Sequence, residues 1–221
     1  MKVLETVKSV TLGVAIVLGL FLNTPDAEAS GNTEKLVVAG GCFWCVEADF
    51  EKVKGVVEAV SGYTGGTTKN PTYKQVTRGG TGHFEAVEIS FDPTVVSIDV
   101  LLNLFLRSVD VTDNGGQFCD RGESYRTAIF PASPSQRRAA EKAIKEAQRE
   151  LGKTVVTPVL DLKTFYLAED YHQDYYKGDN LVITRFGPIS QKNAYKRYRD
   201  ACGRDARVKQ VWGTGAAPFI K

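Results

Sequence analysis

Two cysteines stand three residues apart near the start of the chain, and their types and spacing are suited to redox chemistry. Cys42 and Cys45 lie in the segment 40–45 (GGCFWC), which directly follows the short apolar run 36–39. The run predicts a buried strand, and the residues after it predict a helix that begins at Cys42. A cysteine in the first turn of a helix meets unpaired backbone N–H groups, which favour the thiolate. We therefore expect Cys42 to be a nucleophile and Cys45 to be placed to attack an oxidised sulfur on it.

Other interpretations of the cysteines remain open at this point. Free cysteine is among the most buried residue types, so the pair could simply pack in a core. A zinc site would need further ligands, yet Cys119 and Cys202 are isolated in the sequence and the chain has two histidines. The sequence therefore disfavours a metal site, and we expect neither a metal nor a bound cofactor.

A second group with chemical meaning is a carboxyl on the apolar face of a strand. The segment 83–91 alternates, so that Glu85 shares a face with Val87, Ile89 and Phe91. Burial raises the pKa of a carboxyl because it disfavours the charged form, and a glutamic acid that stays protonated near pH 7 can act as a general acid. An ordinary ion pair at the end of the strand is the alternative.

Three more residues have polar groups that could assist a reaction at this site, although each also has a purely structural interpretation. Tyr73 follows a turn at Asn70-Pro71, and Tyr125 follows a polar loop that contains Asp120. Taken alone, the tyrosines are typical strand or core aromatics, and the aspartate is a typical turn residue. His172 is interpreted as structural.

The elements that must position these residues follow one another in the order β-α-β-β-α-β. The predicted elements are strand 36–39, helix 42–53, strands 56–63 and 83–91, a helix from Ile98 capped by Ser97, and strand 125–130. This order is typical of a ferredoxin-like split βαβ core, which makes the fold an α+β two-layer sandwich.

A long irregular C-terminal extension is expected to follow this core. Its predicted elements are a capped helix at 134–151, a strand at 155–162 bent at Pro158, a partly helical aromatic segment at 165–176 and a last helix at 189–201. A short helical turn with Pro71 in its first position is also expected between the second and third strands. No linker divides the chain after residue 29.

The first 29 residues predict an export signal. Lys2 and Lys8 precede an apolar run at 10–22, and the segment 27–29 (AEA) has the form of a signal cleavage site. The run is too short to span a bilayer comfortably, and an uncleaved membrane anchor is the alternative. We expect residues 30–221 to form a single catalytic domain that is exported, either to the periplasm or out of the cell.

Charge and composition exclude some classes of partner. The chain has 221 residues, a formal net charge of +2 and no basic or acidic run. Such a small charge does not favour nucleic acid or an anionic membrane as the main partner. We expect a monomer without a nucleic-acid partner.

Taken together, the motifs resemble those of one family. They are GCFWxxE at 41–47, GYTGG at 62–66, NPTY at 70–73, GHxE at 82–85, DxGxxYR at 120–126 and YHQ at 171–173. In this order and at these intervals, across most of residues 30–221, the chain resembles the A-type peptide methionine sulfoxide reductases. The resemblance implies an enzyme that reduces methionine-S-sulfoxide, free or within proteins, to methionine.

The resemblance also implies a role for each candidate in the reaction. Cys42 is implied as the nucleophile that attacks the sulfoxide sulfur, and Glu85 as the acid that protonates the sulfoxide oxygen. The hydroxyls of Tyr73 and Tyr125 would assist Glu85, and Asp120 would be a polar member of the site.

The substrate's methyl group is implied to lie in an apolar pocket between Phe43 and Trp44. The reaction would leave a sulfenic acid on Cys42, which a resolving cysteine converts to a disulfide. A thioredoxin-like dithiol would then reduce that disulfide.

The resolving cysteine is less clear, because the chain departs from the family pattern here. Many members have glycine in place of Cys45 and carry two cysteines in a glycine-rich tail, where this chain has Cys202 alone. Cys202 matches the tail location and is preferred, Cys45 is nearest in sequence to the nucleophile, and Cys119 is a third option. Two other functions are weighed against the first: a C-x-x-C dithiol–disulfide oxidoreductase acting on protein disulfides, which would not need Glu85, and a metal-binding module.

Overall fold

The computed structural model describes residues 33–185 and 187–221. The strands are Glu34–Gly40 (β1), Val56–Thr64 (β2), Phe84–Phe91 (β3), Gly116–Gln117 (β4), Asp120–Arg121 (β5), Thr127–Phe130 (β6), Tyr166–Leu167 (β7), Leu181–Thr184 (β8) and Gly187–Ser190 (β9). The helices are Phe43–Phe50 (α1), Tyr73–Arg78 (α2), Ile98–Leu106 (α3), Pro134–Leu151 (α4), Gln191–Ala201 (α5) and Arg204–Trp212 (α6). The predicted signal segment at 1–29 lies outside the described residues. Among those residues, every helix is too short or too polar to cross a bilayer.

One five-stranded sheet organises the fold, with the strand order β6-β1-β3-β2-β7 and antiparallel neighbours throughout. The order β6-β1-β3-β2, with α1 and α3 as the crossing helices, is that of a split βαβ core. The predicted α+β two-layer sandwich is therefore confirmed.

The core of the sheet explains the position of Glu85. In the antiparallel register of β1 and β3, Leu36 lies opposite Ile89 and Val38 opposite Val87, and all four side chains are buried. Glu85 lies two residues before Val87 on the same face of β3 and is also buried. Alternation along the strand thus carries a carboxyl into the apolar layer.

Local signals in the sequence set the ends of two helices as predicted. The side chain of Ser97 accepts a hydrogen bond from the amide of Val100 at the start of α3. At the start of α4, the Ser133 side chain accepts from the amide of Gln136, and Gly152 ends the helix in the left-handed region with a φ of 60°. These are the capping roles that serine and glycine fill best.

The structure differs from the prediction at three places near the core. α1 ends at Phe50 rather than Val53. Pro71 lies before α2 instead of in its first position, because Thr72 is the N-cap and forms a reciprocal capping box with Gln75.

The third difference is that the segment 155–162 is not a strand. It forms a single parallel bridge to β6, in which Ile129 donates to the Pro158 carbonyl and accepts from the Leu160 amide. Proline has no N–H, so it cannot extend a ladder of hydrogen bonds here.

The C-terminal extension after α4 consists of short elements that pack over α1. The aromatic segment contributes β7 and two 3-10 turns, and the hairpin β8–β9 leads into α5. Ala194 and Tyr195 of α5 pack with Cys45 and Ala48 of α1. α6, which the sequence did not predict, follows after one left-handed glycine, Gly203.

Candidate active site

A tight glycine turn brings the first cysteine from the end of β1 to the start of α1. Gly41 has a φ of 80°, and a Cβ atom built on it would lie 2.6 Å from Cβ of Gln117. Both the backbone conformation and the close approach therefore require glycine. Cys42 follows as the N-cap residue of α1.

A small cavity of about 70 Å³ lies at this helix start. It is lined by Cys42, Phe43, Trp44, Tyr73, Glu85, Asp120, Tyr125 and Tyr198. The structure thus brings together all seven residues that the sequence nominated as catalytic or substrate-binding, and it adds Tyr198. Three larger clefts, of about 420, 460 and 550 Å³, have no cysteine among the described residues that line them.

Glu85 enters the cavity from β3 as a buried acid with one free oxygen. Its Oε2 accepts a hydrogen bond of 3.2 Å from the amide of Phe43, whereas its Oε1 has no partner among the described residues. Burial raises the pKa of Glu85 to about 8, and the charge of Asp120 acts in the same direction. The Phe43 amide and the nearby Tyr125 hydroxyl oppose this rise. At neutral pH the carboxyl is therefore protonated in most molecules.

The two nominated tyrosines keep their protons beside this acid. Burial raises the pKa of Tyr73 and of Tyr125, and the neighbouring charge of Glu85 adds to the rise in both. Tyr73 is the first residue of α2, and its amide donates to Glu169 Oε1 at 2.9 Å. Both hydroxyls are consequently hydrogen-bond donors over the whole physiological pH range.

The Cys42 thiol is also buried, and it is not ionised as easily as its position at the helix start predicted. Only 7% of the residue is exposed. Burial raises the pKa of Cys42 well above its ordinary value, and its hydrogen bond with Cys45 and the charges of Glu85 and Asp120 raise it further. This direction is opposite to the predicted ease of ionisation at Cys42, because desolvation of the thiol outweighs the N-terminus of an eight-residue helix.

The negative charge of the cysteine pair is favoured on Cys45 instead. The pKa of Cys45 is lowered, first by the hydrogen bond from Cys42 and then by the guanidinium groups of Arg204 and Arg199, against the effect of burial. Of the two thiols, Cys45 therefore gives up its proton more easily, and Cys42 retains its own. That proton must leave before Cys42 can act as a nucleophile.

Those two arginines belong to a buried network that joins the C-terminal helices to α1. Arg199 Nη1 lies 2.9 Å from Oδ1 of Asp49, which is one helical turn after Cys45. Arg204 is 1% exposed and donates to the carbonyls of Gly40 and Ser108, at 3.1 Å each. The network thus fixes the C-terminal helices against the strand end and the helix that carry the cysteines.

Trp44 is held by aromatic partners from the aromatic segment 165–176. Its Nε1 donates to Nδ1 of His172 at 3.2 Å, and its ring stacks on Tyr175 with centroids 3.8 Å apart. Burial lowers the pKa of His172 to about 4, so the imidazole is neutral at pH 7 and its Nδ1 can accept. His172 accordingly positions the indole that forms one side of the cavity.

The remaining two cysteines are joined to each other. Cys119 and Cys202 form a disulfide with their Cα atoms 5.0 Å apart. Cys42 and Cys45 are free. Of the three candidates for the resolving cysteine, the structure therefore places Cys45 in contact with the nucleophile and joins Cys202 and Cys119 to each other.

Sequence reasoning missed Tyr198 and Arg204. Tyr198 lies four residues before Cys202, so both lie on one side of α5, and this spacing was the available signal. Arg204 stands two residues after Cys202, and nothing in its neighbourhood distinguishes it from a surface arginine.

Comparison with known proteins places the chain among sulfoxide-reducing enzymes. The family model described as "Peptide methionine sulfoxide reductase" matches residues 34–213. "Peptide methionine sulfoxide reductase MsrA 2" of Caulobacter vibrioides is 49% identical over 200 residues, which cover 90% of this chain and 95% of that protein. "Peptide methionine sulfoxide reductase MsrA" of Bacillus licheniformis is 44% identical over 186 residues, covering 81% and 94%.

Two solved structures are similar as well. Methionine sulfoxide reductase A of Corynebacterium diphtheriae superposes with a TM-score of 0.63 at 34% identity, covering 67% of this chain and 75% of that one. Mxr1 from Saccharomyces cerevisiae in its reduced form superposes with a TM-score of 0.62 at 30% identity, covering 65% and 83%. The likeness therefore extends through both sequence and fold.

Proposed function

The chain belongs to the peptide methionine sulfoxide reductase family, and we propose that it reduces methionine-S-sulfoxide, free or in proteins, to methionine with Cys42 as the nucleophile. The family that the motifs predicted is confirmed by the family model over residues 34–213 and by the relative that is 49% identical. One observation carries the mechanism: the cavity that holds Cys42 also holds a buried, protonated carboxyl with a free oxygen.

The first step of the proposed mechanism transfers the sulfoxide oxygen. A sulfoxide oxygen leaves sulfur readily only when it is protonated, so the attacking sulfur needs an acid beside it. Glu85 donates its proton to the oxygen, Tyr73 and Tyr125 donate hydrogen bonds to it, and Cys42 sulfur forms a bond to the substrate sulfur. The S–O bond breaks with its electron pair on the protonated oxygen, and that oxygen then bonds to the Cys42 sulfur as the S–S bond breaks with its electron pair on the substrate sulfur. Cys42 is left as a sulfenic acid, and methionine is released. The proton lost by the Cys42 thiol replaces the one given by Glu85, so the step consumes no net proton.

The substrate is oriented by the apolar and polar sides of the cavity. Phe43 and Trp44 offer their rings to the methyl group, and Asp120 forms a polar side. A small cavity suits the tip of an oxidised methionine side chain whose backbone stays at the protein surface. This accounts for the action on methionine sulfoxide both as a free amino acid and within proteins.

The second step of the proposed mechanism is resolution by Cys45. Its sulfur attacks the Cys42 sulfenic sulfur, a disulfide forms between them, and the oxygen leaves as water. Support comes from the hydrogen bond between the two thiols, from the lowered pKa of Cys45 and from the engagement of Cys202 with Cys119. An external thioredoxin-like dithiol then reduces the Cys42–Cys45 disulfide by exchange, which returns two thiols.

Export to the periplasm or the cell exterior is part of the same proposal. It is supported by the pattern of charged, apolar and small residues at 1–29 and by the Cys119–Cys202 disulfide, because disulfides persist mainly in oxidising compartments. Cell fractionation with mass spectrometry of the purified protein tests it, and the expected N-terminus is Ser30. An unprocessed chain in the cytosolic fraction would contradict export.

A dithiol–disulfide oxidoreductase is the alternative, and the carboxyl beside Cys42 argues against it. Thiol–disulfide exchange has no oxygen atom to protonate, so it would give no chemical role to the buried Glu85 in the same cavity.

The function is tested by incubating the purified protein with each epimer of a blocked methionine sulfoxide and dithiothreitol. We expect loss of the S epimer alone. Loss of neither epimer, or of the R epimer only, would overturn the proposed function.

A further inference from the structure

Tyr198 completes the cavity, yet it comes from the C-terminal extension rather than from the sheet or α1. It lies on α5 and lines the same cavity as Cys42. Its hydroxyl donates to Oδ2 of Asp120, and its ring meets Trp44 edge-on with centroids 6.2 Å apart. Tyr198 thus bridges a polar side and an aromatic side of the site.

A covalent bond lies directly beside this bridge. Cys202 ends α5 one helical turn after Tyr198, and its disulfide partner Cys119 directly precedes Asp120. The turn between β4 and β5 is therefore linked to α5 twice, once by the disulfide and once by the hydrogen bond of Tyr198 to Asp120. Neither link is part of the chemistry assigned to Cys42 and Glu85.

The turn itself is held in an unusual conformation that presents Cys119 to α5. Phe118 has a φ of 55°, a left-handed conformation that costs a bulky residue about 1 kcal/mol or more. Arg204 holds the Phe118 side chain, with its Cζ 4.8 Å from the ring centroid. A strained turn persists only where its surroundings fix it, and here both the buried arginine and the disulfide do so.

We propose that the Cys119–Cys202 disulfide is a latch that holds Tyr198 over the sulfoxide site and so sets substrate affinity, while the electrons of each turnover pass through Cys42 and Cys45. The proposal rests on the proposed function for its kinetic consequence. Its physical content is that opening the latch loosens the C-terminal end of α5, which carries Tyr198, and uncovers the cavity. Because Cys119 is exposed, a dithiol in solution can reach the latch.

The test compares two proteins that carry the same two free thiols. One is the wild-type protein with its disulfide intact, and the other is the double variant Cys119→Ser/Cys202→Ser. Each releases one methionine per molecule in a single turnover without added reductant. We expect the half-saturating concentration of sulfoxide to rise about tenfold in the double variant, with the saturating rate within about threefold.

Two results would overturn the latch. One is an unchanged half-saturating concentration, and the other is a fall in the saturating rate alone, which would mean that the disulfide serves the chemistry. Fully reduced wild-type protein, with four thiols, is expected to behave like the double variant, and a wild-type affinity in that arm would also count against the latch.

Removing the disulfide from a protein that already lacks the Tyr198 side chain shows whether the disulfide acts through Tyr198. In Tyr198→Ala protein the half-saturating concentration is already raised, and removing the disulfide as well should raise it by less than about twofold further. Independent, multiplying effects would contradict a shared action. Tyr198→Phe, which keeps the ring and loses the bond to Asp120, is expected to lie between wild type and Tyr198→Ala.

A readout without substrate separates this proposal from the proposed function. Iodoacetamide should alkylate Cys42 about tenfold faster in the double variant than in the wild type, as followed by mass spectrometry of the Cys42 peptide. Faster alkylation of the double variant, with no reduction of either epimer, would support the latch and contradict the proposed function. Equal alkylation rates, together with reduction of the S epimer, would contradict the latch and support the proposed function.

Discussion

The amide of Phe43 donates a hydrogen bond to Oε2 of Glu85 at 3.2 Å. The residue after the nucleophile therefore fixes the acid, so that the start of α1 sets the position of Cys42 and of the carboxyl together. The other carboxyl oxygen, Oε1, has no hydrogen-bond partner among the residues that the structure describes. Acid and nucleophile are thus positioned by one piece of backbone.

Burial of this acid should make the protein less stable at high pH. The pKa of Glu85 is raised from 4.5 to about 8 in the folded protein, so the folded state binds more protons than the unfolded state between these values. Its contribution to the free energy of unfolding is therefore present below pH 4.5 and is lost as the pH rises to about 8. At about 1.4 kcal/mol per pKa unit, the loss is at most ~5 kcal/mol.

The variant Glu85→Gln should remove this dependence and be more stable than wild type at pH 9, as measured by urea unfolding. Glu88→Gln on the same strand is the control, because its ion pair with Lys35 is partly exposed and worth less than about 1 kcal/mol. A Glu85→Gln protein whose stability falls with pH as steeply as that of the wild type would contradict the assignment.

Replacing Cys45 with serine should stop the cycle at the sulfenic acid. In the variant, one methionine is expected per molecule, followed by a Cys42 sulfenic acid that a cyclic 1,3-dione traps. The wild type should instead yield a Cys42–Cys45 disulfide. Peptide mapping by mass spectrometry measures both products. A Cys42–Cys202 disulfide in the wild type would show that the tail cysteine resolves instead.

Loss of the Cys119–Cys202 disulfide should lower the free energy of unfolding. The two residues are 83 positions apart, and closing a loop of that length stabilises a fold by up to about 4.5 kcal/mol in the chain-entropy model. We expect a loss of about 2–4 kcal/mol in the double serine variant, as measured by urea unfolding at pH 7. A loss below about 0.5 kcal/mol would mean that the bond adds no constraint.

Arg204→Met should destabilise the protein more than a surface change in the same helix. Removing this buried guanidinium leaves the carbonyls of Gly40 and Ser108 without their donor and Asp49 with one cation fewer, at an expected cost of about 3–5 kcal/mol. Lys209→Met is the matched control on α6. Lys209 is exposed, so its replacement should cost less than about 1 kcal/mol. Equal effects of the two variants on the urea midpoint would refute the structural role of Arg204.

The core and most of the site residues could be predicted from the sequence, because the patterns that indicate them involve residues close together in the chain. Alternation along β3 placed Glu85 on the apolar face, and the serine caps and Gly152 marked helix ends within one turn. The segment 155–162 shows the limit of such signals. Its apolar residues resemble a strand, but proline leaves it with one bridge to β6.

The parts that the sequence did not predict depend on contacts between distant residues. Tyr198 reaches the site because α5 packs on α1, and it meets Asp120 across 78 positions. The raised pKa of Cys42 is not predictable for a related reason. A helix start is visible in sequence, whereas the residues that bury the thiol come from distant parts of the chain. Disulfide pairing is likewise a property of the fold.

The most direct test of the central claim is the pH dependence of a single turnover with the S epimer, in wild type and in Glu85→Gln. Wild-type protein should lose activity as the pH rises through about 8, because Glu85 gives up the proton that the sulfoxide oxygen needs. Glu85→Gln should be slower by about 10²–10⁴-fold at pH 7, the usual contribution of a general acid, and should lack that decline. A Glu85→Gln protein that reduces the S epimer at the wild-type rate would contradict the account.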